Sequence, residues 1–492
     1  MNILLVYPET PVTFWSFKTA LKFVGKKSSE PPLGLITIAA MLPAEWNKKL
    51  IDMNVRPLTD AHIRWADYVF LTGMDVHRAS FEQVVRRCKA LNKKVVAGGP
   101  MVTAEYQEFS GVDHFILNEA EITLPMFLED LRKGQPKQLY STAEFPDLSL
   151  TPIPQWDLLE TKKYMTMSVQ YSRGCPFDCE FCAITMLNGH VPRTKSTEQF
   201  LAELESLYRF GWRGNVFVVD DNFIGNKKRL KNDLLPALVQ WSQQRNYPFS
   251  FLTEASVNLA DDEKLMQLMV QAGFDHAFIG IETPDENSLA ECGKKQNRNR
   301  DLLSSVHRLH RHGLRISGGF IVGFDSDPEN IFERQVRFIQ QSGIVTAMVG
   351  LLNAAPGTRL FRRLKNEGRL TNVWSGNNMD GVLNFIPKMD YRKLLDGYRS
   401  ILRTIYDPAE YYRRVITFLN DFQIGLKLPR KVTLTDLRAF VKSIFVLGIA
   451  DKNRKYYWKL LGYCLVNFPE KLSIAVTMAI YGLHFRKLVE RI

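Results

Sequence analysis

Two successive series of short Val/Ile/Leu-rich runs, each run followed by a helical pattern, restrict the possible fold more than any other property of this sequence. In the first series the runs are NILLVYP (2–8), KKLIDMNV (48–55), DYVFLTG (67–73), KKVVAGG (93–99) and DHFILN (113–118), with helical stretches such as 80–91 and 121–133 between them. Continuous branched apolar runs indicate strands buried on both faces, the mark of a parallel sheet covered by helices. Residues 1–140 therefore read as a Rossmann-like domain, whose ligands would sit beyond the strand C-termini. Pro8 to Thr10, Met74 to His77, Gly98 to Pro100 and Asn118 to Glu121 fall there. Residues 141–165 carry Pro146, Pro152 and Pro154 with little apolar periodicity and suit a linker.

The second series reads MSVQYSRG (167–174), NVFVVDD (215–221), FSFLTEAS (249–256), HAFIGIE (276–282), RISGGFIVGF (315–324) and TAMVGLLN (346–353), with helical patterns at 197–210, 262–272, 299–312 and 329–342. Six βα units within residues 166–358 predict a partial or full (β/α) barrel, with its chemistry at the strand C-termini. From 359 to 492 the strand pattern stops and Leu, Tyr, Arg and Lys recur at helical spacing, so this part reads as helical. The expected class is α/β in three parts: a Rossmann-like domain, a (β/α)6 barrel and a helical C-terminal region. The apolar stretch 472–485 is 14 residues long, short of the roughly 20 that span a bilayer, and reads as a core or interfacial helix.

The net charge of +12 is unevenly spread: residues 388–492 hold 20 Lys and Arg against 9 Asp and Glu, so +11 lies in the last fifth. Such a bias favours something anionic, such as phospholipid headgroups, a phosphorylated substrate or nucleic acid, or serves only as a solvated basic surface. Aromatics there, including Tyr406, Tyr411 and Tyr412 beside Arg413 and Arg414, would line an apolar cleft or pack a helical core. The N-terminus lacks a basic n-region and a cleavage site, so it reads as a strand and the chain is expected in the cytoplasm. Six cysteines, three of them within eight positions, fit a reducing compartment with one metal site.

That site is RGCPFDCEFC, where Cys175, Cys179 and Cys182 follow a C-x3-C-x2-C spacing directly after a strand. Three thiolates on one loop can ligate three irons of a [4Fe–4S] cubane and leave the fourth open. Structural zinc wants four ligands, and His190 is the one nearby candidate for the fourth. The spacing, with the aromatic Phe181 before the last cysteine, resembles the radical S-adenosylmethionine superfamily. The resemblance implies that the cofactor's amino and carboxylate groups chelate the unique iron and that one electron from the cluster cleaves it to a 5′-deoxyadenosyl radical. It also implies cofactor contacts at the strand ends: Asp220, Asp221 and Asn222 in VDDNF, where relatives more often have Gly-Gly-Glu; Glu254 and Glu282; and Gly318, Gly319 and Gly323 on the adenine side. For the carboxylates the alternatives are helix caps or salt bridges. No residue is singled out as catalytic.

A Rossmann-like domain before such a barrel, with PPLGL (31–35), GGP (98–100) and NEAE (118–121), resembles the cobalamin-binding branch of that superfamily, and the helical C-terminal region resembles its hopanoid methylase-like subset. Cobalamin would then touch Met74, Asp75, His77, Gly98, Gly99, Asn118 and Glu119. DVHRAS (75–80) is similar to a D-x-H-x-x-G signature that binds cobalt through His, here His77, but has Ser80 for Gly and follows the third strand instead of the first; the alternative is a hydrogen-bonded loop histidine. The resemblance implies a cobalamin-dependent methyltransferase for a small or lipid-like substrate, served by a reducing partner such as flavodoxin or ferredoxin and held peripherally at a membrane by its basic tail. The alternatives are radical cyclisation, rearrangement or coupling without methyl transfer, and RNA-directed work. The last lacks any RNA-binding module or RNP-like aromatic pattern, which leaves nucleic acid the weakest partner.

Overall fold

The computed structural model describes residues 1–371, 375–377, 379–426 and 433–492. Six strands form the first sheet: β1 (Asn2–Tyr7), β2 (Asn47–Asp52), β3 (Tyr68–Thr72), β4 (Lys94–Gly98), β5 (His114–Ile116) and β6 (Leu139–Tyr140). They are parallel in the order β2-β1-β3-β4-β5-β6. Strand alternation divides their side chains between two cores. Leu4, Val6, Val69, Leu71, Val95 and Ala97 fill one that belongs to this domain, while Ile3, Leu5, Phe70 and Val96 join the large core that continues into the rest of the molecule. The short strand β6, which the sequence reading did not include, adds to the edge through Phe115 opposite Leu139.

The second sheet contains β7 (Thr166–Val169), then, after a small antiparallel hairpin of β8 (Ser172–Arg173) and β9 (Arg193–Thr194), β10 (Gly214–Val218), β11 (Phe249–Ala255), β12 (Phe274–Glu282), β13 (Arg315–Val322) and β14 (Thr346–Leu351). Its six parallel strands lie side by side in chain order, and β7 and β14 are not paired, so it is an open, partial barrel. The hairpin was not foreseen, because two-residue strands carry no readable period. On β11, Phe249, Phe251, Thr253 and Ala255 are buried, while Ser250, Leu252 and Glu254 are partly open and line the inner face.

Beyond the barrel the chain is helical: Arg359–Asn366, Tyr391–Ile405, Pro408–Asp421, Leu434–Ser443 running into a π-turn at Ile444–Ala450, Arg454–Asn467 and Leu472–Val489. With its preceding turn the last helix, Pro469–Val489, is long and apolar enough to cross a membrane by length and composition. Half of its most apolar window is buried here, so it is a longer element than the 14-residue stretch suggested, and it works as a core helix. The tyrosines settle as packing: Tyr406 Oη donates to the Ala347 carbonyl of β14 at 2.5 Å, and Tyr411 Oη to Met478 O at 2.6 Å. Arg414 is fully buried between these two rings and donates to Gln340 Oε1, Ile405 O and Val345 O. Asp421 fastens the same helix to the barrel by accepting from His307 Nδ1 at 2.7 Å and Arg311 Nε at 2.8 Å.

Arg414→Met should lower stability by about 2–4 kcal/mol, because three buried acceptors lose their donor. Arg413→Met, on the exposed flank, should change it by less than about 0.5 kcal/mol. Urea unfolding followed by circular dichroism compares the two.

Candidate functional site

The cysteine loop starts at Gly174, which has φ +96°; a Cβ there would lie 2.9 Å from the carbonyls of Asn188 and Val191, so only glycine fits. Cys175, Cys179 and Cys182 are all free thiols. Burial pushes the Cys182 thiol up to about 12 and raises that of Cys175. Thiols so buried become thiolates when a cation ligates them. Amide donors already point at two of the sulfurs: Asn222 Nδ2 lies 3.9 Å from Cys175 Sγ, and Gln296 Nε2 3.7 Å from Cys179 Sγ. Three thiols on one loop suit three irons of a cubane, whereas a structural zinc would want a fourth ligand. His190 is exposed and adds no fourth ligand.

The triplet after β10 differs from its sequence reading. Asp220 is fully buried and accepts from Tyr171 N at 2.7 Å, Ser172 N at 2.8 Å and Ser172 Oγ at 2.5 Å; burial raises its carboxyl to about 7. Asp221 accepts from Gly174 N at 3.1 Å and Asn188 Nδ2 at 2.9 Å, and the Asn222 side chain also bonds Ser256. These bonds brace the cysteine loop, Asp220 through both oxygens and Asp221 through Oδ2 alone. Glu282 Oε1 meets Lys294 Nζ at 2.6 Å. It sits at a bulge with φ +63°, with Gly280 leaving room for its carboxylate and Asn297 Nδ2 capping the carbonyls of Gly280 and Ile281. Burial opposes the Lys294 charge, yet Glu282 and then Cys179 hold it above the lysine range.

Glu254 is different. It has no hydrogen bond or ion pair among the described residues, and burial, reinforced by Asp221 and Glu30, raises its carboxyl to about 8. Glu30, from the segment before PPLGL, accepts from Ser168 Oγ at 3.3 Å, and burial lifts it to about 6. Two acids from different domains thus share the inner face, and sequence reasoning missed Glu30 because no motif marks it. Parallel register places Glu254, Phe278 and Ser317 in one row, with Gly319 beyond, where an added Cβ would lie 3.0 Å from the Phe278 ring. Trp15 of the front domain lies over Phe278 at 4.8 Å. Gly318 points the other way, toward Phe320 and Ile344, and Gly323, at φ +108°, meets Leu394.

The front-domain loops are tied by local contacts. His77 is fully buried, its Nδ1 accepting from Met74 N at 3.1 Å and its Nε2 bonding Thr10 Oγ1 at 3.0 Å; burial lowers it to about 4. It has no free nitrogen for cobalt and acts as the hydrogen-bonded loop histidine. Gly98 and Gly99 are required by close neighbours, Ile116 O at 2.6 Å from an added Cβ and Thr72 Oγ1. Asn118, at φ +62°, receives Thr103 and Thr142 through its own donors and acceptors. Glu119 binds Arg173 Nη1 at 2.6 Å and Arg193, while Glu121 binds Arg173 Nη2 at 2.9 Å and Thr151 Oγ1 at 2.7 Å. Met74 is half exposed, and Asp75 opens the turn to His77.

Two outcomes follow. Asp220→Ala should cost about 2–4 kcal/mol and lower iron retained after reconstitution, because the turn into the cysteine loop loses its acceptor; iron assay and unfolding read both. For Glu254 the folded carboxyl lies above its unfolded value, so its contribution to stability is complete below about pH 4.5 and is lost as pH rises through about 8. Glu254→Gln should flatten that part of the pH profile of the urea midpoint in cofactor-free protein.

Residues 26–128 match the B12 binding domain, 169–339 the radical SAM superfamily, and 358–492 a domain of unknown function, DUF4070. The uncharacterized methyltransferase sll1242 of Synechocystis sp. is 44% identical over 99% of this chain and 91% of its own length. The hopanoid C-2 methylase of Rhodopseudomonas palustris is 34% identical over 93% of this chain and 88% of its own. Among solved structures, the cobalamin-dependent radical enzyme OxsB, with aqua-cobalamin and S-adenosylmethionine bound, covers this chain completely at 15% identity and TM-score 0.63, with 80% of its own length matched. The methyltransferase TsrM of Kitasatospora setae, with cobalamin and a [4Fe–4S] cluster, does so at 13% identity and TM-score 0.64, with 99% matched. Cysteine loop, twin parallel sheets and end-to-end relatives agree: this chain belongs to the cobalamin-dependent radical S-adenosylmethionine methyltransferases.

Proposed function

We propose that this methyltransferase acts on an unactivated carbon of a polycyclic, largely apolar lipid of the hopanoid class. The observation that carries the reading is the inner wall of the barrel, where Phe217, Leu252, Phe278 and Ile321 are partly open and Trp15 lies over Phe278. A rigid hydrocarbon covering such a wall gains about 25 cal/mol for each Å² removed from water. Relatedness to the hopanoid C-2 methylase along nearly the whole chain supports it.

When bound, the cluster with S-adenosylmethionine supplies hydrogen abstraction from the substrate, and cobalamin supplies the methyl group. Cys175, Cys179 and Cys182 would hold the cluster, with Asn222 and Gln296 donating to sulfur and the Lys294 ammonium adding a positive field nearby. Glu254 is the uncommitted carboxyl on the inner face and would receive polar groups of S-adenosylmethionine; the apolar wall keeps water from the reacting carbon. The front-domain loops, with half-exposed Met74 and no free imidazole, suit a corrin held without a histidine ligand. The proposed working place is the cytoplasmic side, with a flavodoxin- or ferredoxin-type protein as electron donor.

The test uses anaerobically reconstituted holoenzyme, a chemical reductant, S-adenosylmethionine with a trideuteriomethyl group, and either a hopene-type hydrocarbon or a chlorin. Trideuteriomethyl hopanoid from the wild type and none from Cys179→Ala is the expected result. Methylation of the chlorin alone would overturn the lipid reading and leave methyl transfer intact.

A further inference from the structure

The C-terminal region presents an apolar surface that no part of the described chain covers. Along the helix from Leu434 through the π-turn to Ala450, Leu437, Val441, Phe445 and Ile449 recur every four residues and are exposed by 52%, 43%, 60% and 56%. The next helix, Arg454–Asn467, adds Trp458, Leu465 and Val466, exposed by 48%, 54% and 82%. Trp458 joins the two helices: its indole lies against Gly448 and its Nε1 donates to the Gly448 carbonyl at 2.8 Å, so the polar end of the ring is satisfied. Single exposed apolar residues are ordinary, but a stripe continued on a neighbouring helix marks a surface that meets something.

Charge decides what it meets. Arg438 and Lys442 stand one position after the stripe residues Leu437 and Val441, and Lys452, Lys455 and Lys459 lie on the turn and helix that follow, all exposed. Asp451 is already paired with Arg486 and Asp436 caps its own helix, and across residues 434–466 six Lys and Arg stand against these two acids, a balance of +4. A surface both apolar and basic, with a half-exposed tryptophan at its junction, has the composition of a face lying in the headgroup layer of an anionic bilayer. The long apolar helix Pro469–Val489 is not that face, being half buried behind it.

The surface is connected to the barrel mouth. Lys442 Nζ reaches the Lys22 carbonyl at 2.8 Å and lies 5.7 Å from the Phe23 ring, which places the stripe's helix against the helix Lys18–Val24. Trp15, over Phe278, stands just before that helix. We infer that the 434–466 surface docks the enzyme on anionic lipid bilayers and holds the Trp15 side of the barrel mouth toward the membrane. This goes beyond the substrate reading, and either can fail without the other.

The test is flotation of anaerobically purified holoenzyme with vesicles of phosphatidylcholine alone or mixed with phosphatidylglycerol, neither containing a polycyclic lipid. Association with the anionic vesicles, falling with salt, is expected. Val441→Glu with Phe445→Glu should abolish it, and Lys455→Glu with Lys459→Glu should weaken it about fivefold or more per lysine. Circular dichroism, iron content and S-adenosylmethionine cleavage should be unchanged in both variants, since these residues lie on the surface. Absence of binding, equal binding by the Val441→Glu/Phe445→Glu variant, or a wild-type dimer in sedimentation that this variant dissociates would overturn the proposal, the last assigning the face to a second copy of the chain.

Discussion

The loop that carries the three thiols is tied to the front domain by charge. Arg173, two residues before Cys175, is almost buried between Glu119 and Glu121 of the front domain, and Arg193 of the facing strand shares Glu119. Burial opposes the Arg173 charge, and the two carboxylates more than compensate for it. Buried ion pairs contribute less to net stability than their Coulomb attraction suggests, but removing one member leaves a stranded charge, so they fix geometry strongly. From the barrel side, Asp220 and Asp221 grip the backbone of residues 171, 172 and 174. The thiols are thus positioned from two domains at once.

The same junction defines the space where chemistry takes place. Glu30 comes from the front domain and Glu254 from β11, and burial raises the proton affinity of both carboxyls. Trp15 and Phe278 bring the two domains into aromatic contact at the rim. A reactive radical needs such a wall, because neighbouring side chains offer it little except the bound substrate.

Much of this was legible in the sequence, and the exceptions have physical causes. Buried parallel strands announce themselves as continuous apolar runs, so the eleven longer strands, such as β1 and β12, fell where expected, whereas β6, β8 and β9 are too short to show a period. Cysteine spacing identified the loop because ligand geometry constrains neighbours along one segment. Roles that depend on partners distant in sequence were hidden. Asp220 looked like a cofactor ligand until Tyr171 and Ser172 were seen to use it, and Glu119 until Arg173 was. His77 matched part of a cobalt-binding signature, yet Thr10, 67 residues away, takes its second nitrogen. Lys294 and Gln296 had no motif, since only the folding of the chain after β12 brings them beside the cysteines.

Because the acids that clasp Arg173 and Arg193 lie in one domain and the arginines in the other, the two halves are not interchangeable parts. A front domain grafted from a distant homologue would have to carry acids in the same register, or leave two guanidinium groups stranded next to the iron site. The border between the halves is therefore a poor crossover point for recombination, and the pair is expected to descend through evolution as a single inherited block.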